Sequence, residues 1–97
     1  EPSRALDLQA SHQLIHCLSQ LCRQGTTLVQ VTHRIDTIIP EMKRVLFLQD
    51  GTISADGTPE NMLTAERLSG LFSTPLTVVE SGGFRQVLPD PTTWDAW

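Results

Sequence analysis

The chain has 97 residues, enough for one small domain, with 39% apolar and 19% charged residues in the proportions of a globular protein. Seven Lys and Arg against eleven Asp and Glu leave a formal net charge of −4, and Lys43–Arg44 is the sole basic pair; this argues against the clustered basic face of a nucleic-acid binder. No apolar run approaches the ~20 residues that span a bilayer, so any membrane role would be indirect.

Leu14, Ile15, Leu18, Leu21 and Cys22 fall at i, i+1, i+4, i+7 and i+8, which predicts an amphipathic helix over residues 8–24. Asp7 stands where an N-cap would accept from free backbone amides, and Gly25 where a left-handed C-cap would end the helix. Cys17 and Cys22 are about 1.4 helical turns apart, so their side chains diverge and a mutual disulfide is not expected; they read as buried thiols of a reducing compartment. His12 and His16 are one turn apart, but two ligands are too few for a metal, and they read as a solvated face.

"TTLVQVTH" at residues 26–33 is β-branched and largely apolar, the pattern of a buried strand in a parallel sheet. A brief helix over 34–39, interrupted at Pro40, should follow. "RVLFLQDGTIS" predicts two strands about an Asp50–Gly51 turn. Thr58 as cap and Pro59 at the first helical position start another helix, "TAERLSGLF" follows as a second short helical segment, and a second hairpin turns at Gly82–Gly83. Met42 and Met62 read as packing residues, and the polar tail ends in Trp94 and Trp97, residue types enriched at interfaces.

Two sites carry candidate chemistry. Glu1 and Asp7 are carboxylates in "EPSRALD", on a stretch leading into a helix, and His33 closes an apolar strand. In open α/β sheets ligands bind beyond the carboxyl ends of strands, where an imidazole can donate to an anion. On spacing alone, a His33 that merely starts the next helix and a Glu1 that is merely solvated are equally good readings.

The order of these segments resembles the C-terminal half of the nucleotide-binding domain of ABC-type ATPases. "EPSRALD" fits the phrase after the Walker B strand from its second acid onward, "LVQVTHRIDTIIPEMKRVLFLQDGTI" fits the strand ending in Thr-His with Arg44 and Gly51 in register, and "GTPENMLT" fits the usual Gly-x-Pro-Glu helix start. The resemblance runs from Glu1 to about Phe72 and more loosely through the last hairpin. It implies an α/β fragment of a P-loop NTPase with parallel core strands, helices and C-terminal hairpins. Residues 1–72 would be core, 73–89 a hairpin extension and 90–97 a tail, and the stretch would begin just inside the Walker B motif.

By the same resemblance, Glu1 is the catalytic glutamate that polarises the attacking water, and His33 the switch histidine that contacts the γ-phosphate. Ser3, Arg4, Ala5, Leu6 and Asp7 form the D-loop at the dimer interface, where Arg4 replaces a small polar residue. ATP and Mg2+ would serve the full-length protein. Its partners would be a second ATPase domain and a membrane permease, which would place it at the cytoplasmic face of a membrane. A soluble ABC ATPase of translation or DNA repair, and a non-catalytic interaction domain, are the alternative readings. These 97 residues contain no Gly-rich Walker A loop, no Walker B aspartate and no placeable signature; "LSGLF" lies after the switch histidine, where the signature cannot be. The stretch by itself is therefore expected neither to hold ATP tightly nor to hydrolyse it. In the family's sheet order another strand separates 26–33 from 45–49, so these residues alone are expected not to form the central sheet.

Overall fold

The computed structural model describes residues 2–92, with side chains from Asp7 onward. Glu1, Trp94 and Trp97 lie outside the described residues. Helix α1 (Pro2–Arg23) is followed by an extended segment and a 3-10 turn (Ile35–Thr37), then strands β1 (Val45–Gln49) and β2 (Thr52–Gly57), helices α2 (Pro59–Met62) and α3 (Ala65–Phe72), and strands β3 (Leu76–Ser81) and β4 (Phe84–Pro89).

Helix α1 starts earlier than its apolar periodicity suggests. Pro2 has the φ of a first helical residue and no amide to lose, and Arg, Ala and Leu at positions 4–6 are good helix formers. Residues 3–7, expected as a loop, are thus helical, and Asp7 is an exposed residue within α1 rather than its cap. The other end is as expected. Gly25 has φ +94, the Thr26 amide donates to the Leu21 carbonyl at 3.0 Å and the Gly25 amide to that of Cys22 at 3.1 Å, the paired bonds of a Schellman motif.

The expectation of parallel core strands is corrected. Among the described residues the sheets are two antiparallel hairpins, β1–β2 and β3–β4. Residues 26–32 carry no strand, and Val29 and Val31 are 82% and 88% exposed. A strand exists by pairing its amides and carbonyls with a neighbour, and no described strand runs beside this segment.

Each hairpin turns through two left-handed residues, Asp50 and Gly51 (φ +53 and +78) and Gly82 and Gly83 (φ +59 and +84), the conformation that matches strand twist. A bulge in β1–β2 pairs Phe47 with Ala55 and Leu48 with Ile53, leaving Ser54 as the extra residue. Phe47 faces inward while Leu48 and Ile53 stay 64% and 60% exposed. At the open end, Arg44 holds Asp56 through two bonds of 2.9 and 2.6 Å, and this bidentate contact keeps the Asp56 carboxyl below its ordinary range.

The buried cluster is Ile35, Phe47, Met62, Leu63 and Leu68, with Val45, Leu76, Val78 and Val87 packed against it. The hydroxyls of Thr58 and Thr64 cap α2 and α3 by accepting from the amides of Asn61 and Arg67. They turn Met62 and Leu68 inward, where both are almost fully buried. Met62 is the packing residue its sequence suggests.

Candidate functional site

His33 lies at the end of the extended segment, immediately before the 3-10 turn, and is exposed. Burial alternates along this segment: Leu28 and Gln30 are half-buried, whereas Val29 and Val31 face out. The even positions grip the 3-10 turn. Gln30 Nε2 donates to the Thr37 carbonyl at 2.9 Å, and Thr32 Oγ1 accepts the Arg34 amide at 2.9 Å. The two threonine hydroxyls are 3.2 Å apart, and Thr37 Oγ1 donates to the Arg34 carbonyl at 2.8 Å. Ile35, buried in the core, anchors the turn from below.

Thr37 Oγ1 donates to the Arg34 carbonyl, and Thr32 Oγ1, which accepts from the Arg34 amide, lies 3.2 Å from Thr37 Oγ1 and 3.4 Å from that same carbonyl, so both hydroxyls are engaged with each other and with the Arg34 backbone. The bonds begin and end on the backbone of Arg34 and bracket His33. The Arg34 side chain is also held, by Asp36 Oδ2 at 2.9 Å.

A cleft of about 680 Å³ separates the second half of α1 from the β3–β4 hairpin, lined among others by His12, His16, Arg23, Glu41, Phe84 and Arg85. Arg23 Nε donates to Glu41 Oε2 at 2.9 Å at its edge. Burial alone would push the Glu41 carboxyl up; donors on α1, Ser19 and Arg23, outweigh that and hold it below its ordinary range. Neither Asp7 nor His33 lines this cleft. Cys17 is exposed and Cys22 half-buried, both free thiols. The expectation of buried thiols fails because α1 is sparsely packed, its residues Leu14 and Leu21 staying 60% and 43% exposed.

His33 is an exposed imidazole followed by a peptide that the Thr32 bond fixes. Among the described residues next to His33, the Thr32 and Thr37 hydroxyls are engaged with each other and with the Arg34 backbone, which makes no holder for a nucleotide. Sequence reasoning named His33 and missed Gln30, Thr32 and Thr37. The signal was present as two polar residues at alternate positions of an apolar run, followed by a third five residues beyond Thr32.

No family model matches the chain. Comparison with characterised proteins is informative. Over 73 residues, 75% of the chain, it is 38% identical to the hemin import ATP-binding protein HmuV of Plesiomonas shigelloides, covering 28% of that protein. It is 28% identical over 95% of its length to HmuV of Rhodopseudomonas palustris, covering 36% of it. With the vitamin B12 import ATP-binding protein BtuD of Photobacterium profundum, identity is 28% over 86% of the chain and 33% of the relative. Over most of its length the chain is thus similar to ATP-binding proteins of import systems. It spans about a third of the length of the relatives it matches.

Proposed function

We propose that this chain is the C-terminal part of an ATP-binding subunit that couples ATP binding and hydrolysis to import through a membrane permease. What supports this most directly is the alignment with import subunits over most of the chain, together with the order of "EPSRALD", "VTH" and "GTPENMLT" along it. The cargo class is a metal-centred tetrapyrrole, since the similar proteins are named for hemin and vitamin B12 import. In this reading residues 1–72 complete the catalytic core, residues 73–89 extend it, and the subunit works at the cytoplasmic face of a membrane.

Glu1 polarises the attacking water, accepting its hydrogen bond and then its proton. His33 donates to the terminal phosphate, where a fixed donor stabilises charge that shifts during transfer. ATP would supply the phosphoryl group, and Mg2+, when bound, would supply charge neutralisation at its oxygens; none of the described residues makes a metal site. Ser3, Arg4, Ala5, Leu6 and Asp7 face a second ATPase domain, and the start of α1 is where that contact is made.

The test is made in the full-length protein with its permease. Glu1→Gln keeps the shape of the side chain and removes its basicity, so ATP binding should persist while turnover falls by at least ~100-fold. Turnover at the parental rate in that variant overturns the assignment. Failure of the full-length chain to co-purify with a polytopic membrane protein overturns the transporter role.

A further inference from the structure

We infer that Thr32 and Thr37 are positioning residues for His33, acting through a two-hydroxyl bridge; this rests on the reading of His33 as the phosphate-contacting histidine. The amide of Arg34 belongs to the same peptide unit as the carbonyl of His33. Binding that amide to Thr32 Oγ1 at 2.9 Å ties the residues on either side of His33 together and fixes the peptide that follows it. An isolated bond of this kind between residues two apart is a local turn that opens readily in water. Here it is not isolated. Thr32 Oγ1 shares a hydrogen bond with Thr37 Oγ1 at 3.2 Å, Thr37 Oγ1 donates to the Arg34 carbonyl at 2.8 Å, and Gln30 Nε2 donates to the Thr37 carbonyl at 2.9 Å.

The consequence is a division of labour by parity. Gln30 and Thr32 turn toward the 3-10 turn and secure it. Val29 and Val31 are turned outward, and His33 is exposed as they are. None of the bonds of the clamp uses the His33 ring, which is exposed. Ile35, two residues on and buried in the core, gives the clamp a fixed base. A reacting group held this way does not have to be ordered at the moment of reaction, and a displacement of about 1 Å would cost up to ~100-fold in rate.

The experiment uses the full-length ATPase with its permease and follows kcat and KM for ATP. Thr32→Val keeps the branched shape and removes the hydroxyl. It should lower kcat about tenfold with KM little changed, the pattern of a misplaced rather than a missing group. Thr32→Ser should return kcat to within about twofold of the parent, because the bridge needs only the hydroxyl. Thr37→Val should resemble Thr32→Val, and the double variant should be no worse than either alone, since one bridge is broken once. In a His33→Ala background, Thr32→Val should have no further effect on kcat.

A Thr32→Val enzyme with parental kcat, failure of Thr32→Ser to restore it, losses that add in the double variant, or a further loss in the His33→Ala background each overturns the proposal. The two readings separate cleanly. If His33→Ala itself leaves turnover intact, the role of His33 falls and the positioning proposal with it; if His33→Ala abolishes turnover while Thr32→Val does not affect it, the positioning proposal alone falls.

Discussion

Arg23, in the last turn of α1, and Glu41, in the loop before β1, meet through a single bond of 2.9 Å that ties the helix to that loop at the edge of the cleft. The arginine is 67% exposed and the glutamate 17%, so the contact is half solvent-screened and modest in energy. Glu41→Ala should loosen α1 by no more than about 1 kcal/mol, visible as changed amide shifts confined to the second half of α1. The pH dependence has a definite sign. Glu41 titrates below its ordinary 4.5 in the folded chain, so its contribution is complete above the unfolded value and is lost as pH falls through the lower folded one. Those amide shifts should therefore be constant at neutral pH and move only below about pH 4.5; movement near pH 7 would contradict this account.

The two turn glycines of β3–β4 should differ. Both Gly82 and Gly83 have positive φ, but a Cβ on Gly82 meets nothing within 4 Å, while one on Gly83 would lie 2.8 Å from Pro40 Cβ. Gly82→Ala should cost the left-handed penalty alone, about 1–2 kcal/mol. Gly83→Ala should cost distinctly more, because Pro40 is a rigid ring and must be displaced. Denaturant midpoints of the two variants decide this, and equal midpoints would rule out the Pro40 contact.

Leu68 is fully buried and Leu48 is 64% exposed. Leu68→Ala leaves a cavity among Phe47, Met62 and Leu63 and should cost about 2–5 kcal/mol. Leu48→Ala removes little packing and should stay within about 0.5 kcal/mol. Thermal melts of the two variants give the comparison, with the order reversed if β1 presents its other face to the core.

Amide exchange should divide the chain where burial does. In a polypeptide of these 97 residues, the amides of Val29 and Val31 should exchange almost freely, and those of the β1–β2 ladder should be protected. Strong protection across residues 28–31 would show a strand partner that the described fold does not contain.

Much of the local structure was legible because it is encoded locally. Thr58 before Pro59 and Thr64 before Ala65 start helices by satisfying free amides with their own hydroxyls. Gly25, Asp50–Gly51 and Gly82–Gly83 turn left-handed because those residues tolerate it. The start of α1 was misjudged for the converse reason: apolar periodicity marks the face a helix buries, and residues 3–7 form helix by propensity and by Pro2 without contributing to that pattern.

The candidate site was legible in part. His33 stood out by its place at the end of an apolar run, and Glu1 by its place in a family phrase. Thr32 and Thr37 did not stand out, since a hydroxyl in a β-branched stretch reads as strand propensity until its partner is known. The same run, "TTLVQVTH", was read as a buried strand, and its composition does favour one.

By itself, then, the sequence determined the two hairpins with their turns, the cap of α2, the left-handed end of α1 and the likeness to ATP-binding import proteins, because each depends on neighbours a few residues away or on the spacing of motifs. Only the tertiary structure decided that β1 and β2 bulge to bury Phe47 and leave Leu48 out, that Arg23 reaches Glu41, and that Thr32 and Thr37 close a bridge next to His33. A cap is satisfied within its own turn. A strand needs another strand, a carboxylate needs its cation and a hydroxyl needs its acceptor, and these are supplied by distant parts of the chain.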